Sequence, residues 1–218
     1  MDSSPTAPRR PVFKKKHFID SHKAITGAFI LLLMAVFDQW ANPTAWVYLA
    51  LHGTYGLLWA AKSRFFPDRS WEQETGLWFA AVAWGGLTAY WVAPLILMAG
   101  GVQAPAWVLG LCISLCGFGS FFAFASDMQK TISLQLRPEH LITEGLWSLS
   151  RNPNYFGELL IYLSLALLAM HWLPLVLLAA FVAVYWLPRM RRKDRSLARY
   201  PEFADYKKRT KRLIPFVW

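Results

Sequence analysis

Residues 104–125 read APAWVLGLCISLCGFGSFFAFA, a run of 22 residues without one charged side chain. At about 1.5 Å per residue, a helix of that length crosses the ~30 Å hydrocarbon core of a bilayer. Four stretches of the same character accompany it: 24–40, 43–61 (interrupted by His52), 76–100 and 155–187. The last is too long for one span. His171-Trp172-Leu173-Pro174 in its middle predicts a tight turn between two shorter helices, because proline breaks a helix interior. The fold read from this pattern is an all-α integral-membrane helical bundle of about six transmembrane helices. Trp40, Trp46, Trp172 and Trp186 fall near span ends, where an aromatic belt is expected.

Composition agrees. The chain has 218 residues, 56% hydrophobic and 17% charged, with 12 Trp and 15 Phe. A soluble domain is about half apolar and a quarter charged, so disorder is excluded and an ordinary soluble domain disfavoured. The net charge of +10 would by itself point to nucleic acid, but the positions of the charges say otherwise. Six basic residues lie in 1–23, three in 62–75, three in 126–154 and eleven in 188–218, which together are all 23. The intervening loops at 41–43, 100–103 and His171 contain none. This is the positive-inside pattern. It predicts cytoplasmic termini, inner loops at 62–75 and 126–154, a bilayer rather than nucleic acid as partner, and a site facing the cytosol.

The expected organisation is a basic N-terminal segment (1–23), a transmembrane bundle (24–187) and a basic C-terminal segment (188–218) folding back on the bundle. No cleavable signal is expected at the N-terminus. A bacterial inner membrane and the endoplasmic reticulum both fit, and nothing in the sequence sets an oligomeric state. Cys112 and Cys116 lie in an apolar run without His or acid neighbours. They read as buried thiols rather than as metal ligands, and no metal site is expected.

The inner segments hold the polar chemistry. Ser126-Asp127-Met128-Gln129-Lys130 closes the fourth span. Asn152-Pro153-Asn154-Tyr155-Phe156-Gly157-Glu158 opens the fifth, since Pro153 suits the first turn of a helix. Asn154 and Glu158 are then one turn apart on one face. A carboxylate inside a span is costly and needs a partner or a polar cavity. Glu158 therefore reads either as a structural acid paired with Arg151 or a tail lysine, or as a functional group. Asp127 reads either as an acid paired with Lys130 or as part of the same site. The tail interleaves Tyr200, Phe203 and Tyr206 with its charges and ends on Leu213-Ile214-Pro215-Phe216-Val217-Trp218, which a purely lipid-binding polybasic segment would not need.

These motifs carry a resemblance. Ser126-Asp127, Gly145-Leu146-Trp147, Asn154-Tyr155-Phe156-Gly157-Glu158 and Tyr206 with Leu213-Ile214-Pro215-Phe216 occur in this order, and residues 109–218 resemble the C-terminal domain of the steroid 5α-reductase family. The resemblance implies an NADPH-dependent oxidoreductase that reduces a carbon–carbon double bond conjugated to a carbonyl in a steroid- or lipid-like small molecule. It implies a cofactor site with Asp127, Asn154, Tyr155, Glu158 and Tyr206. Arg137, Arg151, Arg191 and Arg192 are the candidates for the phosphates, which guanidinium forks suit. Since G-x-G-x-x-G is missing, this would not be a Rossmann site. His52, Tyr55 and Glu158 are the catalytic candidates, the first two as donors to a substrate carbonyl. The substrate half matches less well, because Gly53 stands where the family has Tyr.

Two alternatives stay open. Arg151-x-Pro153-x-Tyr155-x-Gly157 also resembles membrane methyltransferases that use S-adenosylmethionine. Against it, the basic Arg192-Lys193-Asp194-Arg195 suits a polyanionic dinucleotide better than a cationic sulfonium. The other alternative is a non-catalytic lipid-binding or scaffold protein, which would not need buried carboxylates.

Overall fold

The computed structural model describes residues 13–68 and 70–218. Residues 1–12 of the basic N-terminal segment lie outside the described residues. Among the described residues the chain is built of helices, with one two-residue pair of strands, β1 (Phe13–Lys14) and β2 (Glu74–Thr75). The helices form six rods: α1 (Lys15–Val36), α2 (Pro43–Phe65), α3 (Leu77–Thr88) running on into α4 (Val92–Ala99), α5 (Ala106–Leu136), α6 (Pro153–Leu168), and α7 (Trp172–Phe181) running on into α8 (Leu187–Leu197). A short α9 (Phe203–Arg209) follows. Four rods are by themselves long and apolar enough to cross a membrane: Lys15–Val36, Leu77–Ala99, Ala106–Leu136 and Trp172–Leu197. Helix α6 is apolar but only 16 residues long. The chain is an all-α membrane bundle.

The helix ends follow local chemistry. Asn42 caps α2 by accepting from the Thr44 amide at 2.9 Å, and Pro43 takes the first helical position. Pro153 opens α6 in the same way. Two boundaries differ from the sequence reading. Helix α5 does not end at Ala125 but continues to Leu136, so Ser126 to Lys130 are helical rather than loop. The added turns keep their charges because each is paired, Asp127 with Lys62 and Lys130 with Asp68. The last rod likewise runs past residue 187, with a single π-helical segment at Val182–Trp186. Trp40, Trp46 and Trp172 are exposed as a belt requires, whereas Trp186 is buried against Tyr155, Tyr162 and Phe181. The π segment directs its indole inward, and it is not a belt residue.

Helices α5 and α6 meet in a backbone-to-backbone contact. A Cβ built on Gly119 would lie 2.7 Å from the Gly157 carbonyl oxygen, and one on Gly157 would lie 2.5 Å from that of Gly119. Small residues let membrane helices approach to backbone contact, where dispersion replaces the missing hydrophobic drive. This contact fixes Asp127 on α5 opposite Asn154 on α6.

The loops gather at two ends. At one, Asn42 donates to the Val102 carbonyl and the Ala104 amide donates to Thr44. At the other, the basic segments are tied together. Lys14 and Lys16 grip Glu72, Lys130 grips Asp68, and Gln129 spans to Glu144 and Leu146. The tail joins this end: the Arg151 amide donates to the Lys211 carbonyl at 2.9 Å and Ser150 to that of Leu213.

Candidate functional site

Where the basic end meets the bundle, α1, α2, α3, α5, α6 and the last rod enclose a cavity of about 360 Å³. This lies at the small end of the ~300–1,000 Å³ range of ligand pockets. One wall is polar. The Lys62 ammonium contacts Asp127 at 2.6 Å, and the Asn154 amide nitrogen donates to the same carboxylate at 3.2 Å. Asn154 is thereby fixed in one orientation, and its Oδ1 is left buried without a hydrogen-bond partner among the described residues. Glu158, one turn on, lines the same cavity. A buried acceptor without a partner costs about 1–3 kcal/mol, so a ligand donor is the economical explanation.

The remaining walls are aromatic. Tyr155 stacks on Trp186, with ring centres 5.2 Å apart. Arg189 donates to Tyr185 at 3.0 Å and lies over the Trp71 ring, closing the basic end of the cavity with a guanidinium. Lys23 enters from α1 beside Trp59, and Tyr162 from α6.

Of the residues singled out from sequence, Asp127, Asn154, Tyr155 and Glu158 come together here. The others do not. Arg151 is buried, and its guanidinium is taken up by Asp194 at 3.1 Å and by the Thr210 carbonyl. It pairs neither with Glu158 nor with a cavity group. Arg137 ends α5 paired with Glu144. Arg191 and Arg192 lie exposed on α8 outside the cavity lining. Tyr206 is buried, with its hydroxyl donating to the Trp147 carbonyl at 2.6 Å, which latches the tail. His52 lines a separate, smaller pocket, partnered by Tyr48 at 3.3 Å and divided from the main cavity by Tyr90 and Tyr162. Tyr55 is enclosed behind Tyr162 and does not line the cavity.

Sequence reasoning missed Lys23, Lys62, Tyr162 and Arg189. Both lysines flank apolar runs and counted only toward the inner charge. Tyr162, one turn beyond Glu158 on the same helix face, was the available signal.

The loop covering the basic end is held by charge. Burial pushes the Asp68 carboxyl up, but Lys130 and the hydroxyl and amide of Ser70 outweigh it and hold it well below the usual carboxylate range. A lowered folded value adds stability at neutral pH that is lost as pH falls through the carboxylate range. Lys130→Met should therefore lower the melting temperature at pH 7, and the gap between the two proteins should begin to narrow only as pH falls below ~4. Melting curves from pH 7 down to pH ~3 check this, and a gap as wide at the acid end as at pH 7 would disprove it.

The family described as Protein of unknown function (DUF1295) matches residues 12–210. The chain belongs to that family. The DUF1295 match contains every residue of the polar wall. The chain is also 30% identical over 140 residues to the cobalt-zinc-cadmium resistance protein CzcN of Cupriavidus metallidurans, covering 64% of this chain and 56% of the relative. It thus spans about half the length of that curated relative. Among the described residues of this DUF1295 protein, no three His, Cys, Asp or Glu side chains gather where a metal ion could be held.

Proposed function

We propose that this chain is an integral-membrane, NADPH-dependent reductase of a carbon–carbon double bond conjugated to a carbonyl in a steroid- or lipid-like substrate. The observation that carries the reading is the polar wall Lys62–Asp127–Asn154 with Glu158, set in an otherwise aromatic cavity between membrane helices. Of these, Asp127, Asn154 and Glu158 are residues that the resemblance to the steroid 5α-reductases assigns to the cofactor.

The donor set fits the nicotinamide end of NADPH. The free Asn154 Oδ1 is an acceptor suited to a carboxamide N–H or a ribose hydroxyl. The cavity is too small for a whole dinucleotide, so the phosphates fall to the basic end, where Arg189 stands and Arg191 and Arg192 are exposed. When bound, NADPH supplies the hydride for the β-carbon of the enone. The protein's own part is to fix that end through Asp127 and Asn154, and to exclude water with Tyr155, Trp186 and Trp71. The bilayer supplies a lipophilic substrate directly, and the basic end would face the cytosol, where NADPH is found.

The lining sets Lys23, Lys62 and Arg189 against Asp68, Asp127 and Glu158, so its charge does not separate NADPH from S-adenosylmethionine. The metals in the relative's name find no cluster of three His, Cys, Asp or Glu ligands among the described residues.

Binding to protein purified in detergent tests the reading. NADPH should bind, and Asn154→Leu and Glu158→Gln should each weaken it by about tenfold, the equivalent of one buried hydrogen bond. Binding of S-adenosylmethionine alone would replace the reading with a methyltransferase. Binding of neither would favour a scaffold.

A further inference from the structure

Lys23 is 8% exposed in the interior of α1. An ionisable group at such a position is costly unless it serves a function. Its ammonium donates to the Tyr162 hydroxyl at 2.8 Å and to the Tyr55 hydroxyl at 3.0 Å, and the two hydroxyls are 3.0 Å apart. It also sits 4.1 Å from the Trp59 ring centre and 4.4 Å from that of Tyr55, an aromatic cage that holds a cation in place.

Counting protons fixes the direction of the cluster. An ammonium only donates, so both tyrosine oxygens accept from Lys23. Tyr55 is enclosed, and the only other partner of its oxygen among the described residues is Tyr162. Its proton therefore goes to Tyr162. The Tyr162 oxygen then accepts twice, from Lys23 and Tyr55, and its own O–H is left for the Tyr90 hydroxyl, which lines the cavity beside it, or for a ligand. Tyr162 lines the cavity.

We propose that Lys23, Tyr55 and Tyr162 form an oxyanion site, in which Tyr162 donates to a single carbonyl oxygen of a neutral, apolar ligand, and Lys23 and Tyr55 are positioning residues behind it. The site favours an oxygen that gains negative charge, because donors aimed at developing charge in a low-dielectric cavity need no reorganisation. In the reductase reading, on which its reaction rests, that oxygen is the enolate formed after hydride arrives. The assignment moves the carbonyl donor from His52 to Tyr162.

The binding test requires no NADPH, so it can fail independently of the reductase reading. The probe is 4-nitrophenol, an apolar enolate mimic whose ionised form absorbs visible light. Added to the full-length protein in detergent at a pH where free probe is mostly protonated, it should bind as the phenolate and release its proton to solvent. Tyr162→Phe, which removes one hydroxyl and leaves the ring stack, should weaken binding by ~10-fold or more and abolish the visible band. Lys23→Met should do the same. If Lys23→Met fails to fold, Tyr162→Phe alone decides. No binding, or a phenolate band unchanged in Tyr162→Phe, overturns the proposal, and loss of NADPH binding alone does not.

Discussion

Arg151→Ala is expected to lower stability by about 3–5 kcal/mol, the cost of breaking a buried ion pair by removing one partner. Arg151 is 5% exposed, and Asp194 accepts from it and from Arg212 at 3.1 Å each. The same guanidinium donates to the Thr210 carbonyl, so one side chain joins the start of α6, helix α8 and the end of α9. Removing it leaves Asp194 with half its partners and Thr210 without its donor. The tail should then become sensitive to protease beyond α8 before the bundle unfolds. Asp194→Leu combined with Arg151→Met should recover part of the loss, because the only charge left without its partner is that of Arg212, which is partly exposed. A melting curve and limited proteolysis check this. If Arg151→Ala melted like the parent while losing NADPH binding, the guanidinium would be a phosphate ligand and not a latch.

Gly157→Ala should be nearly as damaging. The added methyl would lie 2.5 Å from the Gly119 carbonyl oxygen and closer still to the Ala123 amide nitrogen. Backbone cannot step aside as a side chain can, so α5 and α6 must separate. Overpacking costs about 1–3 kcal/mol, and this case belongs at or above the upper figure. Separation would also draw Asp127 from Asn154, so NADPH affinity should fall with stability. The control is Gly110→Ala on α5, where a Cβ meets nothing within 4 Å. It should be neutral or gain a few tenths of a kcal/mol from helix propensity. Equal melting temperatures for Gly157→Ala and Gly110→Ala would disprove the contact.

Asp127, Asn154 and Glu158 were legible because their chemistry is written locally. An acid closes an apolar run, and a proline starts a helix that places two polar side chains one turn apart. The arginines were not legible. Arg151, Arg191 and Arg192 carry the same charge in the sequence, yet one is buried in a latch and two are exposed. That difference depends on Asp194 and Thr210, which lie 43 and 59 positions further along the chain. Lys23 had the opposite fate. It counted as one more charge of the basic N-terminal segment, but the helix begins earlier than the apolar run, at Lys15, and carries Lys23 into the bundle.

The sequence alone determined that this is an all-α membrane bundle, because apolar run length and the sorting of charge between loops are properties of the chain read in order. Which charges meet was decided only by the tertiary structure. The contact of Gly119 with Gly157 sets α5 against α6 and so brings Asp127 to Asn154. The packing of α1, α2 and α6 places Lys23 between Tyr55 and Tyr162, residues 32 and 139 positions away. The energy of burying a charge depends on its partners, and those partners are chosen by helix packing rather than by spacing along the chain.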